Sequence, residues 1–220
     1  MVLVTVQNVK NSGGVSLIVL GLTGGIASGK STVSKILKEL GAPIFDADLA
    51  THALLQKDGA AYEEVINKFV AECGYDILLP DGSIDRKKLG SVVFTNSELL
   101  TYLEEVIHQH VEKAMYNFIA QAKVENAPIA VVDIPLLIEK EWHNKVDKVW
   151  VVYTPLEVQV QRLISRENYT DQEVQERIQS QLPLEDKLEF ADFVIDNSGS
   201  LEQTKEIVNK AWTELKNSES

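Results

Sequence analysis

Gly24-Gly25-Ile26-Ala27-Ser28-Gly29-Lys30-Ser31, followed by Thr32, fits the pattern G-x-x-x-x-G-K-[ST], and its reading decides the fold. Each residue type has a physical reason. Gly24 and Gly29 allow backbone angles and close approaches that a Cβ would block. Successive backbone N–H groups can then converge into an anion nest, and a helix starting at Lys30 adds its positive end. The Lys30 ammonium would reach the β- and γ-phosphates of a nucleoside triphosphate, and the Ser31 hydroxyl would ligate Mg²⁺.

The flanks supply the context this motif requires. Leu17–Leu22 is a short, continuous apolar run and reads as a buried strand. Lys30 to Leu40 reads as a helix, with Val33, Ile36, Leu37 and Leu40 on one stripe, stopped by Gly41 and Pro43. Further strands are predicted at Pro43–Phe45, Ile129–Val132, Val146–Tyr153 and Phe193–Ile195. Helices are expected over 47–56, from Pro155, and from Ser200, where Ser200 and Gln203 form a capping box. Such alternation predicts an α/β fold: a five-stranded parallel sheet with helices on both faces. The stretch 58–125 breaks the rhythm. Apolar residues from Leu103 to Ala122 recur at intervals of 3 and 4, so this stretch reads as a helical insertion containing one long amphipathic helix. Residues 1–16 read as an N-terminal extension and 17–220 as the main domain.

Composition limits the function classes. Among 220 residues, 45% are hydrophobic and 25% charged, an ordinary globular balance. With 21 basic and 33 acidic side chains the net charge is −12, which disfavours nucleic acid as a partner. The acids are partly segregated: residues 185–220 hold nine acidic and four basic side chains. The single cysteine, Cys73, permits no intrachain disulfide and fits a reducing, cytoplasmic compartment. No apolar run approaches the length of a membrane span.

Two further constellations point to phosphoryl transfer. Asp46-Ala47-Asp48 follows the second strand, at the edge where ligands bind in such sheets. One carboxylate there could orient an attacking hydroxyl and take its proton as the other positions it or a metal; either Asp could instead cap the next helix. Arg162 and Arg166, four residues apart, share a helix face and suit phosphate oxygens, or else form a solvated basic stripe. Thr170 and Glu173 form a capping box, so 155–185 reads as a helix–loop–helix lid. Asn144-Lys145-Val146-Asp147 imitates the base-reading motif of a GTPase, but it precedes a strand instead of following one. That places it at the wrong end of the sheet for a nucleotide.

Taken together, the chain resembles the dephospho-coenzyme A kinase family, from about Leu17 to Trp212. The loop 22–32 is similar to that family's version, with Ala27 where Gly is usual. Asp46-Ala47-Asp48, the segment from Asp81 to Arg86, His108 (followed by Gln109 where Pro is usual) and Asp133-Ile134-Pro135-Leu136-Leu137-Ile138-Glu139 match in order. So do Gln159, Arg162, Arg166, Gln181, Ala191-Asp192 and Ile195-Asp196-Asn197-Ser198-Gly199. The resemblance implies a P-loop NTPase fold with a helical acceptor-binding insertion and a helical lid. It implies transfer from ATP, with Mg²⁺, to the ribose 3′-hydroxyl of dephospho-CoA. Asp48 or Asp46 would be the base, with Lys30, Arg162 and Arg166 also catalytic. Gly24, Gly25, Ile26, Ala27, Ser28, Gly29, Lys30, Ser31, Thr32, Arg166, Asn197 and Gly199 would bind ATP. Thr23, Asp46, Asp48, Arg86, His108, Leu136 and Leu137 would hold the acceptor. Ser31 and Asp133 would hold the metal. The expected partners are these small molecules, with neither nucleic acid nor membrane, for a monomer or weak homo-oligomer.

Overall fold

Side chains alternate along β1 (Ile18–Gly24) and so sort onto two cores. Ile18, Leu20 and Leu22 turn to one core and Val19 to the other. The computed structural model describes residues 17–167 and 169–217, with backbone alone at 166 and 167. Around β1 it has the expected sheet, in the order β2 (Ile44–Asp46), β3 (Ile129–Asp133), β1, β4 (Lys148–Tyr153), β5 (Phe193–Asp196). Every pairing is parallel. From β1 the chain winds outward to β2, and from β3 it crosses to the other side of β1. This reversal opens a crevice at the carboxyl ends of β1 and β3, where the phosphate loop and Asp133 lie.

One face is covered by α1 (Lys30–Glu39) and α9 (Leu201–Asn217), through Val33, Ile36, Leu37, Val208, Ala211 and Trp212. The other face carries α2 (Ala47–Leu54) and the insertion, which comprises α3 (Tyr62–Ile66), α4 (Arg86–Thr95) and the 28-residue α5 (Ser97–Val124). Phe45, Val132 and Val151 from the sheet meet Leu54, Val65, Leu103 and Met115 there in one apolar cluster. The insertion is helical, as its periodicity predicts, with one addition. A single antiparallel bridge, Leu78 to Ile84, closes a turn in which Gly82 has φ 83° and the Asp81 carboxylate accepts from Ser83 N–H at 2.9 Å. A one-residue bridge is too short to leave a period-two signature. Gln109 lies within the unbroken α5, so no Pro is needed there.

The stretch 155–185, expected to be a lid, comprises α6 (Leu156–Glu167) and α7 (Asp171–Gln179), and α8 (Leu184–Lys187) begins at its end. The capping boxes at Thr170/Glu173 and Ser200/Gln203 both form. The expectations for residues 1–16 and for the Arg166 side chain fall outside the described residues. Among the described residues no helix is long and apolar enough to cross a membrane.

The GTPase-like motif has a structural purpose. The Asp147 carboxylate accepts from Val19 N–H at 2.7 Å, and Asp147 N–H donates to the Val19 carbonyl at 2.8 Å, clipping β4's approach to β1. Asp147→Ala is expected to lower stability by about 1–2 kcal/mol, since the Val19 N–H loses its partner. Chemical denaturation checks this, with wild-type ATP and GTP affinities as the companion result. A selective loss of GTP binding would restore the base-reading interpretation.

Candidate functional site

The phosphate loop is shaped by what holds it from behind. Gly29, at the start of α1, has φ 89°, and a Cβ added to it would lie 1.9 Å from Asn197 Nδ2. The Ser28 carbonyl collects three donors: Asn197 Nδ2 at 2.7 Å, Thr154 Oγ1 at 3.2 Å and Arg162 Nη1 at 3.2 Å. Asn197 is in turn oriented by the buried Thr204, whose hydroxyl donates to Asn197 Oδ1 at 2.8 Å. Holding that carbonyl on protein donors fixes the loop's shape; Ser28 N–H donates to the Gly25 carbonyl at 3.1 Å and Thr32 N–H to the Gly29 carbonyl at 2.9 Å, and the loop's other N–H groups can serve an anion. Gly29→Ala should therefore weaken ATP binding at least about tenfold, combining left-handed strain with a displaced Asn197. Titration of ATP against the variant tests this; wild-type affinity would remove Asn197 from the loop's support. Ala27 also has a left-handed φ, 56°, which costs a non-glycine residue about 1–2 kcal/mol and explains why Gly suits this position.

Two cavities meet at this loop. The larger, about 800 Å³, is lined by Gly24, Gly25, Ile26, Ala27, Gly29, Lys30, Ser31 and Thr32, and further by Arg162, Asn197 and Gly199. The second, about 530 Å³, is walled by Leu103, Ile107, Val111, Leu136 and Trp142 from the insertion and the loop after β3, with His108, Lys140 and Glu104 as polar groups. Among the described residues, three line both cavities: Asp48, Pro135 and Gln181.

The two candidate carboxylates are placed differently. Asp46 caps α2, its Oδ1 accepting from the N–H groups of Asp48 and Leu49 at 2.9 and 3.0 Å. Asp48, in the first turn of α2, is exposed and faces both cavities. The capping reading of Asp-Ala-Asp therefore holds for Asp46, and Asp48 is the carboxylate left facing the cavities. Asp133 ends β3 in register with Asp46 and is 2% exposed. Burial and the nearby Asp46 push its carboxyl above the ordinary range, against the Lys30 ammonium, which is hydrogen-bonded to it, and Ser34. Ser31 and Asp133 offer hard oxygen donors beside the phosphate cavity. Among the described residues no three His, Cys, Asp or Glu converge. That set fits Mg²⁺, which is commonly held by one or two protein oxygens and the substrate's own phosphates.

The other expected contact residues are placed differently from one another. Thr23 and Leu137 are fully buried and line neither cavity. The Thr23 hydroxyl is used by the Pro135 carbonyl at 3.0 Å, and Leu137 belongs to the insertion-side core. Ser28 is also fully buried and lines neither cavity. Arg162 lines the larger cavity, but its guanidinium is occupied by the Ala27 and Ser28 carbonyls, Thr154 Oγ1 and the Asn197 carbonyl, at 2.8 to 3.3 Å. It clamps the loop in this conformation. Arg86 starts α4, is exposed, and contacts His52 at 2.9 Å, outside either lining. His108 lines the second cavity and its Nε2 accepts from the Trp142 indole, so a neutral ring carries its proton on Nδ1. Sequence reasoning missed Thr154 and Thr204, which touch the site through other residues, and Trp142, which walls the second cavity; none has a motif of its own.

Comparison with known proteins follows from this geometry. The family model described as "Dephospho-CoA kinase" matches residues 18–203. A dephospho-CoA kinase of Carboxydothermus hydrogenoformans is 47% identical over 190 residues, 86% of this chain and 90% of that protein. One of Symbiobacterium thermophilum is 41% identical over 88% of this chain and 80% of that protein. The solved structure of a dephospho-CoA kinase from Campylobacter jejuni superposes with a TM-score of 0.71 at 30% identity, covering 93% of this chain and all of that one.

Proposed function

The chain belongs to the dephospho-coenzyme A kinase family, and from that premise we propose a division of labour between its two cavities. The reaction is the phosphorylation of dephospho-CoA by ATP, giving CoA and ADP, the last step of CoA biosynthesis. The loop cavity takes the ATP phosphates, with Asn197 and Gly199 toward the adenine. The insertion-side cavity takes the acceptor, against Leu136 and His108, and Arg86, outside the lining in this conformation, would reach the acceptor only by leaving His52. Asp48 is the observation that carries this reading: among the described residues it is the one carboxylate lining both cavities, placed where the two substrates would meet.

In this reading the ribose 3′-oxygen attacks the γ-phosphorus and the bond from that phosphorus to the β,γ-bridging oxygen breaks. Asp48 orients the hydroxyl and takes its proton, while Asp46 fixes the first turn of α2 and hence the position of Asp48. Lys30 moves charge compensation from Asp133 to the phosphates, and the lid closes over them to exclude water. Arg162 holds the loop, leaving Arg166 as the lid's contact to the transferring group. Ser31 and Asp133, together with the phosphates, would hold Mg²⁺, which would supply neutralisation of the phosphate charge. We read the chain as a cytoplasmic monomer or weak homo-oligomer that engages neither nucleic acid nor membrane.

The test is ADP release with dephospho-CoA, AMP, CMP and shikimate offered separately. Turnover is expected with dephospho-CoA; turnover of another acceptor with none for dephospho-CoA would refute the assignment.

A further inference from the structure

Lys187 is a fully buried lysine, and the reaction as described above makes no use of it. Its ammonium pairs with Glu139 Oε1 at 2.7 Å and donates to two backbone carbonyls, Pro135 at 3.2 Å and Gly24 at 3.4 Å. Burying a charge costs several kcal/mol unless it is paired and hydrogen-bonded, so a site like this needs all of its partners. Those partners come from segments that are far apart in sequence. Gly24 ends β1 and opens the phosphate loop. The Pro135 carbonyl, which also accepts from Thr23, belongs to a wall shared by both cavities. Glu139 Oε1 additionally accepts from Leu182 N–H at 3.2 Å, next to Gln181, another residue of the shared wall.

We propose that Lys187 is a positioning residue that fixes the phosphate loop, the Pro135 wall and the end of the lid at Gln181 relative to one another, holding the ATP and acceptor cavities in register. The inference rests on the kinase reading above. In-line transfer between two separately bound substrates depends on alignment at the level of about 1 Å, and a single buried cation bonded to both sides supplies that constraint without touching either substrate. The loop's own nest of N–H groups does not involve Lys187. Its loss should therefore fall on turnover and spare ATP binding.

The experiment compares two charge-balanced double variants. In Lys187→Met/Glu139→Gln, position 139 still accepts from Leu182 and no buried charge is stranded, but both carbonyl tethers are lost. In Lys187→Gln/Glu139→Gln, an amide N–H₂ is restored beside the carbonyls. The Met variant is expected to lose about tenfold in kcat, with KM for ATP within threefold of wild type and more ADP released per CoA formed. The Gln variant should recover at least threefold of that loss. Equal kcat in the two variants would overturn the inference. So would failure of either to unfold cooperatively on heating, which would assign the pair to folding alone. A wild-type enzyme that makes no CoA in the parallel assay would instead remove the kinase reading itself.

Discussion

Asp48→Asn is expected to lower kcat by about 10²–10⁴-fold while ATP binding stays intact, the range for loss of a positioned general base. The fold should be nearly unaffected, because Asp48 is exposed and the cap of α2 belongs to Asp46. Asparagine keeps the size and can still accept a hydrogen bond from the acceptor hydroxyl, so KM for dephospho-CoA should change little. Asp46→Asn gives the opposite pattern. It keeps a neutral cap and so loses little stability, and its kcat should fall far less than that of the Asp48 variant. Steady-state kinetics of the pair decide the matter. A kcat loss larger for position 46 than for position 48 would exchange their roles.

Lys30→Ala is expected to cost about 10³-fold in kcat, since it removes the one loop side chain whose charge can follow the transferring phosphoryl group. A second effect must be separated from the first. Lys30 is the hydrogen-bonded cation of the nearly buried Asp133, so the variant strands that carboxylate. Breaking a buried pair from one side costs about 3–5 kcal/mol, and protonation of Asp133, whose affinity for a proton is already raised by burial, limits the loss. Lys30→Ala/Asp133→Asn should therefore recover much of the thermal midpoint and none of the rate. A recovered rate would make Lys30 a structural partner of Asp133 and nothing more.

The contrast between Asp46 and Asp48 shows what a sequence conveys here and what it withholds. The loop from Gly24 to Thr32 is legible because its chemistry depends on local backbone geometry, which a short motif encodes almost completely. The parallel sheet is legible because its strands are continuously apolar and regularly spaced between helices. Asp-Ala-Asp announces two carboxylates at the right edge of the sheet, but which of them is consumed by the helix cap depends on where α2 begins, a matter of one residue. Arg162 reads as a phosphate contact from its spacing with Arg166. Its actual acceptors, the carbonyls of Ala27, Ser28 and Asn197, are brought to it by tertiary packing. Thr23 and Leu137 sit in matching motifs yet point into the protein, because both faces of β1 are covered and because Leu137 fills the space beside Gly21. Lys187 was invisible for a similar reason. In sequence it closes the run Glu185-Asp186-Lys187 and looks like a solvated charge, and only the fold buries it. The net charge of −12 likewise says little about the site, where an anion meets backbone N–H groups and Lys30.

The most direct test of transfer between the two cavities is a single turnover with ATP labelled in its γ-phosphate and excess dephospho-CoA. The label should appear in CoA, on the ribose 3′-oxygen, in step with ADP and one for one. Label released as inorganic phosphate, or carried on any other hydroxyl, would contradict the placement of Asp48 between ATP and the acceptor.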